Sequence, residues 1–356
     1  MLLHGIFPPI TTPFYPDGSI YYKKLEHNLE RYSKTPIAGI VVQGSTGEAI
    51  MLSDQEKRDV LKASREATAA HKVLIAGTGV ESAIETLRLT EYAAEIGYDA
   101  VMVRTPHYYK MAMHPENMLA FYRTVADRSP LPIIIYNFPQ ATGYDIPAEV
   151  VIALADHGNI IAIKESSGNL EKVKTIIAGT RQVKRSVLTT ETFEAFTGRM
   201  MVEATSPVAA GDMVSVGALA GTARPKPSSS EVQVIGAMKA RKKEVGFQVM
   251  VGAAHQLNSS LELGAVGAIL AFACAAPTAC FEIYQASKEK AHEIAMEKQN
   301  RIVLAAKRVV SELSIPGLKY AMDLNGYYGG PSRLPLLPLN GEQKAEVERL
   351  MAGIRN

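Results

Sequence analysis

Short runs rich in Val and Ile recur along the first half of this chain at a nearly fixed interval. They cover residues 5–14, 38–45, 72–79, 100–106, 132–139 and 160–166. From the second onward they begin at 38, 72, 100, 132 and 160, so neighbouring starts lie 28 to 34 residues apart. That interval holds one strand, one helix and two loops. The runs are almost continuously apolar rather than alternating, as expected of strands covered on both faces. Helical patterns fill the gaps. Ser53-Asp-Gln-Glu56 has the form of a capping box and opens SDQEKRDVLKASREATAAH. ESAIETLRLTEYAAEIG repeats the theme and ends at Gly97, and Pro147 fits the first helical position before AEVVIALADHG. Strands alternating with helices at this period predict βαβ units in a parallel sheet.

The rhythm then breaks. After the helix expected at 169–179, the next strand is GFQVMVG (246–252), which starts 86 residues after Ile160. GAVGAILA (264–271) follows 18 residues later. This makes eight strands, the number that closes a (β/α)8 barrel. The 356 residues therefore read as one α/β unit rather than two serial domains. A TIM barrel spans 1–275, interrupted between strands six and seven by an insertion at about 188–244, and a C-terminal helical extension covers 276–356. The insertion lies between a helix and the next strand, so it should emerge on the face opposite the catalytic mouth. It contains TARPKPSSSE (222–231), a linker-like run of Pro and Ser. Residues 200–221 loosely echo 249–271, through partial duplication or chance. Residues 278–312 read as one or two long helices. They are followed by the glycine-rich NGYYGGPSR (325–333) and a final helix from Gly341.

Charge narrows the function classes. Lys plus Arg (38) nearly balances Asp plus Glu (36), so the chain has no general grip on nucleic acid or an anionic membrane. Residues 263–281 lack a charge, but they are rich in Gly and Ala and contain Pro277. They read as a buried strand, a loop and a helix start rather than a membrane span. The first residues, MLLHGIFPPI, carry no basic segment of a secretory signal. Cys274 and Cys280 lack a histidine at ligand spacing and read as buried small hydrophobes in a reducing compartment. His107 and the other histidines form no paired metal-ligand spacing. A cytoplasmic protein with neither metal nor cofactor is expected.

In such a barrel the chemistry belongs at the C-terminal strand ends. The polar groups there are Gly44-Ser-Thr-Gly-Glu48, Thr105-Pro-His-Tyr-Tyr109, Tyr136-Asn-Phe-Pro139 and Lys164-Glu-Ser-Ser-Gly168. Lys164 is the most informative, because a lysine inside a doubly covered strand is rare unless paired or functional. Alternation groups Ala162, Lys164 and Ser166 on one side and Ile161, Ile163 and Glu165 on the other. If the isoleucine side meets the helices, Lys164 points into the barrel mouth. Desolvation could then make it a nucleophile, at a cost of roughly 4 kcal/mol to reach a pKa near ~7–8. A lysine snorkelling from the strand end, or paired to a carboxylate, fits the same position. Tyr136 stands at the matching end of strand five, as a proton relay or as an aromatic lid on the core. The turn with Ser45 and Thr46 offers hydroxyls and N–H groups to a carboxylate or phosphate, or simply joins strand to helix.

Together these residues resemble the dihydrodipicolinate synthase and N-acetylneuraminate lyase family of class I, Schiff-base aldolases. The shared motifs are GSTGE (44–48) with LSDQEK (52–57), TPHYY (105–109), YNFP with TG (136–143), IKESSGN (163–169) and LGAVGAILA (263–271). The resemblance covers about 1–187 and 245–340. IPGLKYAMDLNGYYGGPSRLPL (315–336) is most similar to the 4-hydroxy-2-oxoglutarate aldolase branch. It implies an imine between Lys164 and a 2-oxo acid, with Tyr136 shuttling protons and Ser45 and Thr46 holding the carboxylate. Tyr109 matches the tyrosine that extends the relay, in family tetramers often into a neighbouring subunit. Gly252 and Ile269 match pocket-lining positions, and Ser166 is a further contact. The implied partners are a small 2-oxo acid and further copies of the chain, as a dimer or tetramer.

Two departures refine this reading. Dihydrodipicolinate synthases carry an arginine after YN-x-P that grips the second substrate, and Ala141 falls on that position. Gly252-Ala-Ala-His255 lacks the acidic residues that sialic-acid lyases place there, leaving His255 as a specificity residue or a surface histidine. Cleavage or condensation of a short hydroxylated 2-oxo acid with pyruvate is therefore expected. The alternatives are a same-family synthase or deoxy-sugar-acid dehydratase and a non-catalytic ligand-binding barrel.

Overall fold

The computed structural model describes residues 1–192, 194–205, 232–235 and 238–354. Eight parallel strands form the barrel: β1 (Gly5–Phe7), β2 (Gly39–Val42), β3 (Val73–Gly77), β4 (Ala100–Arg104), β5 (Ile133–Asn137), β6 (Ile160–Glu165), β10 (Gln248–Val251) and β11 (Gly267–Ile269). Each lies within one of the runs read from the sequence. The ladder runs β1-β11-β10-β6-β5-β4-β3-β2. It closes through the Ala38 N–H to the Ile6 carbonyl (3.0 Å) and the Ile10 N–H to the Val41 carbonyl (2.9 Å). This is a TIM barrel, as expected.

Two apolar layers explain the continuous runs. Phe7, Val41, Ile75, Met102, Ile134 and Ile269 fill the barrel interior. Ile6, Ile40, Leu74, Val103, Ile135 and Ile163 pack outward beneath the helices. Alternation holds for Ala162 and Ile163 but fails at Ile161, which joins the interior. The β5–β6 register shifts at Ile133/Ile134 and skips Ile161, so a bulge at the strand start reverses one side chain.

The helix of Asp54–Ala67 begins with the expected capping box, Ser53 and Glu56 each bonding the other's backbone N–H. Pro147 lies one place earlier than expected. It is the cap of Ala148–Ala155 rather than its first residue, a position where the N–H that proline lacks is not needed. The tail forms helices at Pro277–Lys288, His292–Ala306, Ser314–Leu324 and Gly341–Met351. Among the described residues, no helix is long and apolar enough to cross a membrane.

Between β6 and β10 lies a separate antiparallel sheet of β7 (Arg185–Thr190), β8 (Val232–Ile235) and β9 (Met238–Val245), ordered β7-β9-β8. It starts three residues before the expected boundary at Leu188 and ends one after Glu244. The linker-like run at 222–231 and most of the 200–221 echo lie outside the described residues. The inserted segment meets the barrel at the strand-entry end. Thr197 Oγ1 donates to the Ala70 carbonyl (2.6 Å), ahead of β3. Arg199 donates to the Thr68 carbonyl (3.0 Å) and lies 3.5 Å from the Asp99 carboxylate, ahead of β4. Asp99 also accepts from the Leu74 and Gly198 N–H groups. The described residues Thr197–Arg199 of the insertion therefore pack on the end of the barrel opposite Lys164. Arg199→Ala would strand a buried carboxylate and is expected to lower stability by about 3 kcal/mol, read from the urea midpoint. An unchanged midpoint would show that the segment merely rests on the barrel.

Candidate active site

Lys164 and Tyr136 are directly paired across β6 and β5. The Lys164 amine lies 4.0 Å from the centre of the Tyr136 ring. Lys164 is only 4% exposed. No carboxylate among the described residues pairs with it, so the snorkelling and ion-pair alternatives do not describe this lysine. Burial pushes its pKa down to about 7, since water no longer stabilises the ammonium. Burial pushes the Tyr136 phenol up to about 12, with a smaller opposing pull from its Ser45 hydrogen bond. The phenol thus stays protonated beside an amine that is about half neutral near pH 7.

The outward-facing neighbours hold this register. Asn137 Nδ2 donates to both Glu165 oxygens (3.0 and 2.9 Å) and to Asp145 (2.7 Å). Its Oδ1 accepts from the Ile146 N–H (3.1 Å). The Ser167 N–H donates to Glu165, and the Lys172 ammonium lies 3.3 Å from its other oxygen. The YN and KE pairs thus combine one inward reactive group with one outward anchor.

Ser45 Oγ reaches the Tyr136 hydroxyl at 3.3 Å. Ser45–Gly47 is a tight turn whose later N–H groups, of Gly47 and Glu48, bond back to Gly44 and Ser45. The first N–H groups of such a turn have no partner within it, which leaves those of Ser45 and Thr46 for a ligand. Glu48 adopts the left-handed conformation at φ 53° and turns its carboxylate into the protein. There it meets the Lys319 ammonium at 2.6 Å, both side chains being 1% exposed. Lys319 also donates to the carbonyls of Thr12 (2.9 Å) and Pro331 (2.8 Å). The Arg333 N–H donates to Glu48 Oε2 (2.9 Å), and the Arg333 guanidinium bonds Glu56, Gly18 and Met51. The tail thus latches the turn at Ser45–Gly47.

Ser166 Oγ is buried without a hydrogen-bond partner and faces Gly252. A Cβ on residue 252 would lie 2.0 Å from that hydroxyl, so glycine is required for it to fit. Ile269 is fully buried in the barrel interior. Tyr109 is not brought to Lys164 within the chain. It is 70% exposed and stacks edge-on against Tyr108. Ala141 is exposed on the short helix Pro139–Thr142, and half-buried His255 sits in the turn after β10.

A cavity of about 400 Å³ opens at the ends of β2, β3 and β4, lined by Ser45 and Tyr136 and also by Arg104, Glu81 and His107. The sequence reading singled out neither Arg104 nor Glu81. Arg104 carries the same signal as Lys164, a charge within an apolar strand run (AVMVR). The Glu48–Lys319 latch had no local signal.

With this geometry in view, the relatives can be placed. The profile of the Dihydrodipicolinate synthetase family matches residues 2–201 and 226–353. The chain belongs to this family, one of class I aldolase- and lyase-type enzymes. It is 29% identical over 350 residues to 4-hydroxy-tetrahydrodipicolinate synthase of Methanothrix thermoacetophila, covering 98% of this chain and 96% of that one. It is 38% identical over 182 residues to a protein of Emericella nidulans named probable 4-hydroxy-2-oxoglutarate aldolase, mitochondrial, covering 50% of this chain and 59% of that one. The crystal structure of dihydrodipicolinate synthase from Bacillus anthracis superposes with a TM-score of 0.77 at 23% identity, covering all of both chains. A prophage protein of the family from E. coli K12, solved with pyruvate, gives 0.75 at 22% identity and covers 99% of each.

Two outcomes follow from the site. A nucleophilic Lys164 would act as the neutral amine, so its rate of pyruvate capture should rise as pH increases through about 7 and level off above it. A profile still climbing toward pH 10 would mean an ordinary, hydrated lysine. Lys319→Met should cost about 3 kcal/mol and slow capture, whereas Glu48→Leu/Lys319→Met regains stability but not rate. Undiminished capture in folded Lys319→Met would refute the latch.

Proposed function

We propose that this enzyme is a Schiff-base 2-oxo-acid aldolase that cleaves 4-hydroxy-2-oxoglutarate to pyruvate and glyoxylate, or joins them. The observation that carries this reading is the buried Lys164 amine over Tyr136, with Ser45 at the phenol. The neutral amine adds to C2 of the bound 2-oxo acid. Tyr136 relays protons between the carbinolamine and Ser45, and water leaves to give the imine. The substrate carboxylate rests on the Ser45–Thr46 turn, with Ser166 as a further contact beside Gly252 and Ile269. Loss of the C4 hydroxyl proton then breaks the C3–C4 bond. The aldehyde departs, and the bonding pair enters the protonated imine as an enamine. Protonation at C3 and hydrolysis release pyruvate and the free lysine. This cycle needs no metal or added cofactor.

A synthase reaction is the second reading, favoured by the nearly full-length similarity to the Methanothrix enzyme. Against it stands Ala141 where an arginine clamp would be needed, since a methyl group cannot replace a bidentate guanidinium. Tyr109, exposed at the mouth, suits a role completed by a second copy in a dimer or tetramer. The buried free cysteines suit a reducing compartment, and we place the enzyme in the cytoplasm.

Pyruvate with borohydride should add one three-carbon unit at Lys164 in the intact-mass spectrum, and Lys164→Ala should stay unmodified. Incubation with 4-hydroxy-2-oxoglutarate should yield pyruvate and glyoxylate in equal amounts. Loss of water without carbon–carbon cleavage would instead identify a dehydratase.

A further inference from the structure

The cavity beside Tyr136 contains a cation that the imine steps do not use. Arg104 ends β4 and pairs in register with Tyr136, which pairs in turn with Lys164. The three residues form one row across adjacent strands. Strands lie about 4.8 Å apart, so the Arg104 and Lys164 backbones are separated by roughly 10 Å. Alternation gives Arg104 the same inward side as Met102, while Val103 packs outward. Gly79 packs directly against the β4 backbone, because a Cβ there would lie 2.4 Å from the Arg104 backbone nitrogen.

The guanidinium is held by one of its three nitrogens. Nη1 bonds Glu81 Oε1 (3.1 Å), the Thr105 carbonyl (3.4 Å) and His107 Nδ1 (2.6 Å). Every side-chain hydrogen bond that Arg104 makes to described residues involves Nη1, which leaves the Nε and Nη2 edge for a ligand. Glu81 is itself tied down by the N–H groups of His107 (2.9 Å) and Tyr108 (3.0 Å). The side chain of Arg104 is 17% exposed, which strengthens any charge-assisted bond it makes. The cavity also borders Lys57, whose ammonium pairs with Asp54 at 3.0 Å, and Glu81 is the one carboxylate among the described residues of its wall.

We infer that Arg104 is a specificity residue that grips the distal carboxylate of a five-carbon 2-oxo diacid held on Lys164. This deepens the aldolase reading and rests on its imine. In a five-carbon diacid the distal carboxylate lies three carbon–carbon bonds beyond the imine carbon, on the side where β4 presents its guanidinium. Arg104 thereby supplies from β4 the clamp that Ala141 cannot supply.

The test is a competition that requires no aldol chemistry. The protein is incubated with equimolar 2-oxoglutarate and 2-oxopentanoate, five-carbon acids with and without the second carboxylate, and reduced with borohydride. Intact mass reads the ratio of the two adducts on Lys164. The wild type should favour the diacid by about 10- to 100-fold, and Arg104→Met should bring the ratio within about 3-fold of unity. Arg104→Lys keeps the charge but loses the planar fork, and should fall between them. Glu81→Gln/Arg104→Met removes the carboxylate left without its partner and should match Arg104→Met. If Arg104→Met does not fold, Arg104→Lys decides: a lowered ratio supports the inference and an unchanged one overturns it. A wild type without preference, or variants that keep the full preference, also overturns it. No adduct with either acid or with pyruvate in the wild type defeats the imine itself.

Discussion

The alignment of β5 with β6 is the constraint on which the site depends. Tyr136 and Lys164 meet because their strands pair one-to-one at this level. The pairing is secured from behind by Asn137 and Glu165, with Lys172 and Asp145 completing a buried polar cluster. A one-residue slip of β6 would turn Lys164 into the helix layer and Glu165 into the mouth, away from Tyr136 and Asn137. Reactivity on one side of the wall and polar locking on the other are therefore one arrangement. The bulge that drops Ile161 from the ladder lies below this level, so the irregularity is absorbed before the reacting layer.

The mouth is built by two different strategies. Lys164 is left without a carboxylate partner among the described residues, and desolvation lowers its proton affinity. The turn at Ser45 and Thr46 is shaped by supplying partners, since Glu48 is buried in contact with Lys319 and with the Arg333 backbone. One buried charge has to shed its proton and the other has to keep its counterion. Both work because the surrounding barrel excludes water.

Much of this was legible in the sequence. Strand runs at a steady interval, a count of eight and a lysine in an apolar strand were enough to place Lys164 and Tyr136 at the same end of one barrel. Local patterns of this kind report the periodicity of a strand or a cap, as at Ser53. They do not report a bulge, so Ile161 was assigned to the wrong side. They also do not report partners chosen by tertiary folding. Asp99 with Arg199 and Glu48 with Lys319 join segments far apart in the chain, and neither partner looks unusual alone. Tyr109 illustrates a third case, in which a motif match locates a residue that the single chain leaves in solvent.

The latch has a consequence for the order in which the enzyme becomes competent. Arg333 meets Glu48 across 285 residues of chain. At roughly 5–20 residues per second, a ribosome needs on the order of 15–60 seconds to travel that distance. During that time Lys164 and Tyr136 have already been made, while the turn at Ser45 still lacks its counterion and its backbone tether. The emerging chain therefore holds Lys164 and Tyr136 well before the turn beside them is latched. Tethering of the turn thus waits for residues 319–333, and a chain stopped before them lacks the latch.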